Sequence, residues 1–173
     1  MISGKATSKV FLHPGDFYFG DPGVHIHTLL GSCVSISLWH PILHIGGLCH
    51  FVLPTRSLPN PENEVDGRYG DEALQLFRNA TSARGTQLSE YQGKIFGGSN
   101  MLGKVSANED ELIGMRNAEA ALTMLMGEGV DVQVVHVGET GHRRIFMDIG
   151  TGDVFVRHEA MDGHLLKSVS GVN

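Results

Sequence analysis

The stretch from Val24 to Pro54 constrains the fold most, because its apolar residues recur mostly at every second position and Pro41 interrupts them in the middle. Alternation of this kind is typical of half-buried β-strands, and a central proline favours a turn between two of them. We therefore predict a β-hairpin. A four-residue loop closed by Trp39 and His44 is one of the common hairpin connections and fixes which residues face each other.

This register assigns the two cysteines to opposite faces of the hairpin. Cys49 belongs to a wholly apolar face, which we expect to be the core face. Cys33 lies directly across from His50 on the other face, where opposed Cβ atoms are about 4.5–5.5 Å apart. The remaining predicted pairs are Val34 with Cys49, Ile36 with Gly47, Leu38 with Ile45, Ser35 with Leu48, Ser37 with Gly46 and Trp39 with His44.

A thiol beside an imidazole is suited to nucleophilic catalysis, because a thiol is mostly protonated at neutral pH and an adjacent imidazolium stabilises the thiolate. Gly31 and Ser32 precede Cys33. Gly31 allows a tight turn, and the backbone N–H groups around Ser32 and Cys33 can bind an oxyanion. The alternative is a structural role, since buried cysteines are common in proteins without any catalytic function.

The rest of the chain predicts an α+β fold in which hairpins and helices mix, because its order is β-β-α-β-α-β-β-β. Residues 1–23 form an irregular start with one short strand, and residues 55–67 form a polar surface loop. The predicted later elements are helices over Asp71–Ala83 and Glu111–Met126, strands over Lys94–Phe96 and Val130–Val137, and a second hairpin of Arg144–Asp148 with Asp153–Arg157.

Composition limits the class of protein. The 173 residues suit one domain, which we expect to span 1–173 with a core of about 15–158 and less ordered tails. The formal net charge of −6 argues against a general nucleic-acid binder. Two cysteines are too few for a disulfide scaffold, and no apolar run approaches the ~20 residues that span a bilayer. We expect a cytoplasmic protein that does not insert into membranes.

Histidines offer a second kind of site. His25 and His27 share one face of a predicted strand and, with His50 as a third ligand, could bind a metal ion. No carboxylate or further cysteine completes a recognisable spacing. We therefore expect polar strand residues here and no metal.

Several sequence blocks stand in a characteristic order. They are Thr28-Leu29-Leu30-Gly31-Ser32-Cys33-Val34, Trp39-His40-Pro41, Ile45 to Pro54, Arg68-Tyr69-Gly70-Asp71, Lys94 to Met101, Ile113-Gly114-Met115-Arg116-Asn117, Gly138-Glu139-Thr140-Gly141-His142-Arg143-Arg144 and Thr151-Gly152. In this order they closely resemble the CheD family of bacterial chemoreceptor glutamine deamidases, and the resemblance covers about residues 15–158.

The resemblance implies hydrolysis of receptor glutamines to glutamate with release of ammonia, and some members also act on receptor methyl esters. It implies no metal or organic cofactor, and a compact sandwich of mainly antiparallel strands with outer helices, similar to cytotoxic necrotising factor deamidases. The family nucleophile falls on Cys33 and the general base on His50. The third family residue is a threonine shortly before the turn, for which the candidates are Thr28 and the position of His27. Gly98 and Ser99 are candidates for lining the substrate cleft.

The sequence is also compatible with other functions. The chain could act as a non-catalytic adaptor that docks on chemoreceptors or on a CheC-type phosphatase. Arg116 and Asn117 lie inside a predicted helix and could contact the site or only cap or brace a neighbouring loop. Arg143 and Arg144 could receive an acidic receptor surface or form a solvated face.

Overall fold

The computed structural model describes residues 7–101 and 109–161, and within them the fold is α+β, as predicted. The strands are β1 (Ser8–Leu12), β2 (Phe17–Gly20), β3 (Val24–Leu30), β4 (Val34–Trp39), β5 (Gly46–Cys49), β6 (Gln92–Gly97), β7 (Asp131–Val137), β8 (His142–Asp148) and β9 (Val154–Glu159). The helices are α1 (Gly70–Ala83) and α2 (Glu109–Gly127), with a 3₁₀ turn at Leu88–Glu90.

The strands form two mixed sheets. One sheet has the order β1-β3-β8-β9 and the other has the order β2-β5-β4-β6-β7. Most neighbours are antiparallel, and the parallel pairs are β1 with β3 and β6 with β7. The β6–β7 connection contains α2, as expected for a parallel crossover.

Two apolar clusters hold three layers together. Between the sheets, Ile26, Leu48 and Met147 belong to a cluster of fully buried side chains. On the other side of the five-stranded sheet, Phe77 of α1 and Leu125 of α2 belong to the second cluster. The five-stranded sheet is therefore covered on both faces. No helix in the described ranges is long and apolar enough to cross a membrane.

Most later elements match the sequence prediction. Both predicted helices form, each one or two residues longer than expected at its start, and β8 pairs with β9 as the second hairpin. The described part of the irregular start, residues 7–23, contains two short strands where the sequence predicted one over 1–23. The Val24–Pro54 stretch is not one hairpin, because β3 belongs to the other sheet.

The predicted register of β4 and β5 is wrong, because the loop starts one residue later than predicted and each β4 residue pairs two residues further along β5. Trp39 pairs with Gly46, and the His40 N–H donates to the Ile45 carbonyl, so the four-residue loop begins at Pro41 instead of His40. The His40 ring explains the shift, because its Nδ1 accepts hydrogen bonds from the N–H groups of Ile42 and Leu43. His44 ends the loop with a positive φ of 55°.

The slip leaves each side chain on its predicted face, since it changes the pairing by two residues. It removes the direct opposition of Cys33 and His50 and of the other pairs predicted above. The apolar face is not the only buried one, since both faces of β4 are buried. Ser35 and Ser37 are buried, on the face that packs against the four-stranded sheet.

Candidate functional site

Cys33 lies in the turn between β3 and β4, partly buried between the two sheets. Val34 and Phe51 form a mutually hydrogen-bonded pair, with N···O distances of 3.0 and 2.9 Å. Cys33 and His50 each precede one member of that pair, so they share a face as diagonal neighbours. Diagonal side chains across antiparallel strands have Cβ atoms within about 7–8 Å, which long side chains can span.

His50 is held by a buried chain of hydrogen bonds. Its Nδ1 lies 2.7 Å from Thr28 Oγ1, and that hydroxyl lies 2.8 Å from the carbonyl oxygen of Leu12. A carbonyl can only accept, so the single hydroxyl hydrogen of Thr28 goes to Leu12. The imidazole must therefore donate from Nδ1, and in the neutral ring Nε2 carries only a lone pair. Nε2 is buried, with no hydrogen-bond partner among the described residues.

Of the two candidates for a third residue, Thr28 contacts His50 and His27 does not. Successive residues of β3 point to opposite faces, so His27 lies on the outer face of the four-stranded sheet, where its ring stacks on Phe146. His25 shares that outer face and contacts the same phenylalanine. His50 is on the other side of the sheet. Within 7–101 and 109–161, no three His, Cys, Asp or Glu side chains are grouped to hold a metal ion.

Three successive carbonyl groups of the cysteine turn are fixed. The carbonyl of Gly31 accepts from the Ser99 N–H at 3.0 Å, that of Ser32 from Asn117 Nδ2 at 3.0 Å, and that of Cys33 from the Gly98 N–H at 2.9 Å. In the described part of the chain, the backbone N–H of Ser32 has no hydrogen-bond acceptor, and that of Cys33 bonds only to its own sulfur.

The glycine turn after β6 lies directly against the cysteine turn. Gly97 has a φ of +111°, and a Cβ there would lie 2.2 Å from the carbonyl oxygen of Cys33, so only glycine fits. A Cβ on Gly31 would lie 2.8 Å from the sulfur of Met101. The space beside Gly31 is therefore filled by the Met101 side chain. The Gly97–Met101 segment therefore supports the turn that carries Cys33.

Ser99 faces inward. It is fully buried, and its hydroxyl accepts a hydrogen bond from Arg143 at 2.7 Å and lies 3.3 Å from the Gly138 carbonyl. Arg143 is only 1% exposed and also donates to the Gly97 carbonyl and to His136 Nδ1. Neither sequence expectation for Arg143, an acidic-surface receptor or a solvated face, holds for this buried side chain. Arg144 is exposed.

Burial decides the charge states of the candidate pair. Desolvation lowers the pKa of His50 to about 4, with an opposing contribution from the nearby carboxylate of Asp16. Desolvation also raises the pKa of the Cys33 thiol above its ordinary value. Both shifts favour the uncharged forms, so the thiol and the imidazole are both neutral at neutral pH rather than a thiolate–imidazolium pair.

Comparison with known proteins gives consistent matches. A family model described as "CheD chemotactic sensory transduction" matches residues 52–158, a range that begins just after His50. Relatives that align over a longer part of the chain include "Probable chemoreceptor glutamine deamidase CheD 3" of Dechloromonas aromatica, 45% identical over 86% of both chains. A similarly named "CheD 2" protein of Albidiferax ferrireducens is 44% identical over 93% of this chain and 92% of its own.

Proposed function

Because the chain belongs to the CheD family, we propose that it hydrolyses glutamine side chains of methyl-accepting chemotaxis receptors to glutamate and ammonia, with Cys33 as the nucleophile and His50 as the base. One observation carries the assignment of residues. The Thr28 contact fixes the tautomer of His50, so that its buried Nε2 carries a lone pair and has no partner among the described residues. His50 lies on the same sheet face as Cys33, whose thiol is partly exposed, whereas the other described thiol, that of Cys49, is buried.

The first half of the reaction transfers the acyl group to the enzyme. The Cys33 thiol gives its proton to His50 Nε2 as the sulfur attacks the amide carbon. The N–H groups of Ser32 and Cys33 stabilise the negative charge that develops on the amide oxygen. The C–N bond then breaks, and His50 returns the proton to the leaving nitrogen, which departs as ammonia. A thioester to Cys33 remains.

The second half restores the enzyme. His50 Nε2 takes a proton from a water molecule, whose oxygen attacks the thioester carbon. Breakage of the C–S bond releases the glutamate side chain, and the proton on His50 passes to the sulfur. The balance is one amide and one water consumed, and one carboxylic acid and one ammonia formed. No electrons are exchanged.

Gly98 and Ser99 act in this proposal as supports for the oxyanion site. Their N–H groups hold the carbonyls of Cys33 and Gly31, and the hydroxyl of Ser99 is engaged by Arg143. Gly31 and Ser32 belong to the turn itself. The substrate therefore meets the backbone of the cysteine turn, while the glycine segment fixes the shape of that turn.

The same site can accept a methyl ester, because the acyl-enzyme is identical and methanol leaves in place of ammonia. The test is release of ammonia from an amidated receptor cytoplasmic fragment and of methanol from its methylated form. Catalysis by this chain predicts ammonia release that rises with enzyme concentration. Stable binding of the fragment without either product contradicts the proposal and supports an adaptor that acts on receptors or with a CheC-type phosphatase.

The Thr28→Val variant is expected to lose about fivefold in kcat, because it removes the hydrogen-bond acceptor that fixes His50, and one such bond is worth about 1 kcal/mol. Valine has nearly the same shape as threonine, so the packing is kept. Thr28→Ser retains the hydroxyl and should stay close to the wild-type rate. Steady-state ammonia release measures both. Equal rates for the Val and Ser variants would contradict the role of the hydroxyl.

The rate of Cys33 alkylation by iodoacetamide should keep rising with pH past the ordinary pKa of a thiol, and it should show no plateau between about pH 5 and 8. The reason is the neutral resting pair. The raised pKa of Cys33 makes the thiolate scarce until alkaline pH, and the lowered pKa of His50 leaves no imidazolium to stabilise it. The measurement is the alkylation rate against pH in a Cys49→Ala background. A rate already maximal near pH 6 would indicate an ion pair instead.

A further inference from the structure

We propose that Asn117 is a positioning residue of this site, which aims the backbone N–H of Cys33 at the substrate oxygen without touching the substrate. The inference rests on the proposed function, since it concerns the oxyanion of that reaction. Asn117 lies on α2 and is completely buried. It acts through the Ser32–Cys33 peptide group.

The amide of Asn117 joins the two segments that carry the candidate pair. Its Nδ2 donates to the carbonyl of Ser32 at 3.0 Å and to the carbonyl of Val52 at 2.8 Å. An amide nitrogen has two hydrogens, so both are used. Ser32 directly precedes Cys33, and Val52 follows His50 by two residues. One side chain thus fixes the nucleophile turn relative to the segment of the base.

The hydrogen bond from Asn117 to the Ser32 carbonyl also fixes the direction of the Cys33 N–H, because both groups belong to one peptide unit. In a planar trans peptide the C=O and the following N–H point in opposite directions. Asn117 holds the Ser32 carbonyl towards α2, so the N–H of Cys33 points away from α2. Among the described residues, this N–H has no hydrogen-bond partner except the sulfur of Cys33 itself.

Close packing brings α2 near enough for this contact. Gly114 lies one helical turn before Asn117, and a Cβ at Gly114 would lie 2.6 Å from the carbonyl oxygen of Gly98. The absence of a side chain at Gly114 lets the helix touch the glycine segment. The helix therefore reaches the cysteine turn by a direct contact at Asn117 and through Gly98, whose N–H bonds the Cys33 carbonyl.

Two reactions of the same thiol separate this role from general support of the fold. Deamidation develops an oxyanion, whereas alkylation by iodoacetamide displaces iodide at carbon and develops none. In Asn117→Ala the kcat for ammonia release should fall about 100-fold, as when one oxyanion donor is lost. The KM and the alkylation rate of Cys33 should change less than about twofold.

Folding is checked by circular dichroism and by the thermal midpoint before the rates are compared. If Asn117→Ala does not fold, Asn117→Asp fills the same volume, and its buried carboxyl in the protonated form donates one hydrogen instead of two. It should show the same pattern with a smaller loss. The matched control is Asn79→Ala, an exposed helical asparagine that bonds only to Gln75 in the described structure, which should keep wild-type rates.

Each result has a distinct meaning. A selective loss of kcat with normal alkylation supports the proposal. An unchanged kcat in a folded Asn117 variant, or equal losses in deamidation and alkylation, overturns it. If wild type and Asn79→Ala also release no ammonia, the failure belongs to the proposed function itself and the inference falls with it.

Discussion

Replacement of Cys33 by alanine is expected to abolish deamidation, with a loss of at least about 1,000-fold in ammonia release. Without the sulfur no thioester can form, and the hydrogen-bond donors of the turn alone cannot replace the covalent step. The fold should survive, because Cys33 is only partly buried and alanine fits in its place. The rate on a receptor fragment and the thermal midpoint are the two measurements.

Cys49→Ala is the matched control for this variant. Cys49 is fully buried in the cluster under the helices, where the Ile36 N–H donates to its sulfur at 3.4 Å. Burial raises its pKa to about 12, so it carries no thiolate at neutral pH. We expect a stability loss of about 1 kcal/mol and a normal rate. An active Cys33→Ala protein, or a folded but inactive Cys49→Ala protein, would show that Cys33 is not the nucleophile.

His50→Ala is expected to lower kcat by about 100- to 10,000-fold, the usual contribution of a general acid–base group. The variant loses the proton transfers of both halves of the reaction, beginning with those from the thiol and to the leaving nitrogen. Because the buried imidazole leaves a cavity lined by the Thr28 hydroxyl, added imidazole should restore part of the rate. Ammonia release with and without imidazole is the measurement.

An exposed histidine provides the comparison for this second variant. His142 lies on β8 and its side chain is exposed to solvent. His142→Ala should keep the wild-type rate and should not respond to imidazole. If His50→Ala retained full activity, the reaction would need another base, and the importance of the Thr28–His50 contact would be lost with it.

Local pattern was sufficient for the helices and for the second hairpin. Both elements depend on residues that are close in sequence. They are the helix with the apolar stripe over Asp71–Ala83 and the hairpin around Gly150-Thr151-Gly152. The division into two sheets could not be predicted in this way. β1 pairs with β3 and β3 with β8, and such pairings depend on contacts between distant segments rather than on the alternation within one strand.

The hairpin register failed for a specific reason. Loop length was predicted correctly, but the ring of His40 binds two N–H groups of the loop and keeps His40 itself paired with Ile45. Turn propensities do not indicate that a histidine before a proline binds the N–H groups of the loop with its ring. Face assignment survived because a shift of two residues preserves the alternation, and this is why Cys33 and His50 still share a face.

The supporting residues of the site show where sequence reasoning stops. Asn117 was among the residues of a recognised block, but its contact with Ser32 spans 85 positions. Arg143 was read as a surface charge, whereas the acceptors at Gly97, Ser99 and Gly138 allow it to be buried. No spacing rule connects segments that meet only when α2 and β8 pack beside the cysteine turn.

The mass of the receptor fragment shows most directly whether Cys33 and His50 convert receptor glutamine to glutamate. Replacement of NH₂ by OH adds about one dalton per converted side chain. We expect this gain at defined glutamines with wild-type protein and with Cys49→Ala, together with one ammonia per conversion, and no gain with Cys33→Ala or His50→Ala. An unchanged fragment mass after incubation with wild-type protein that binds the fragment would contradict the account.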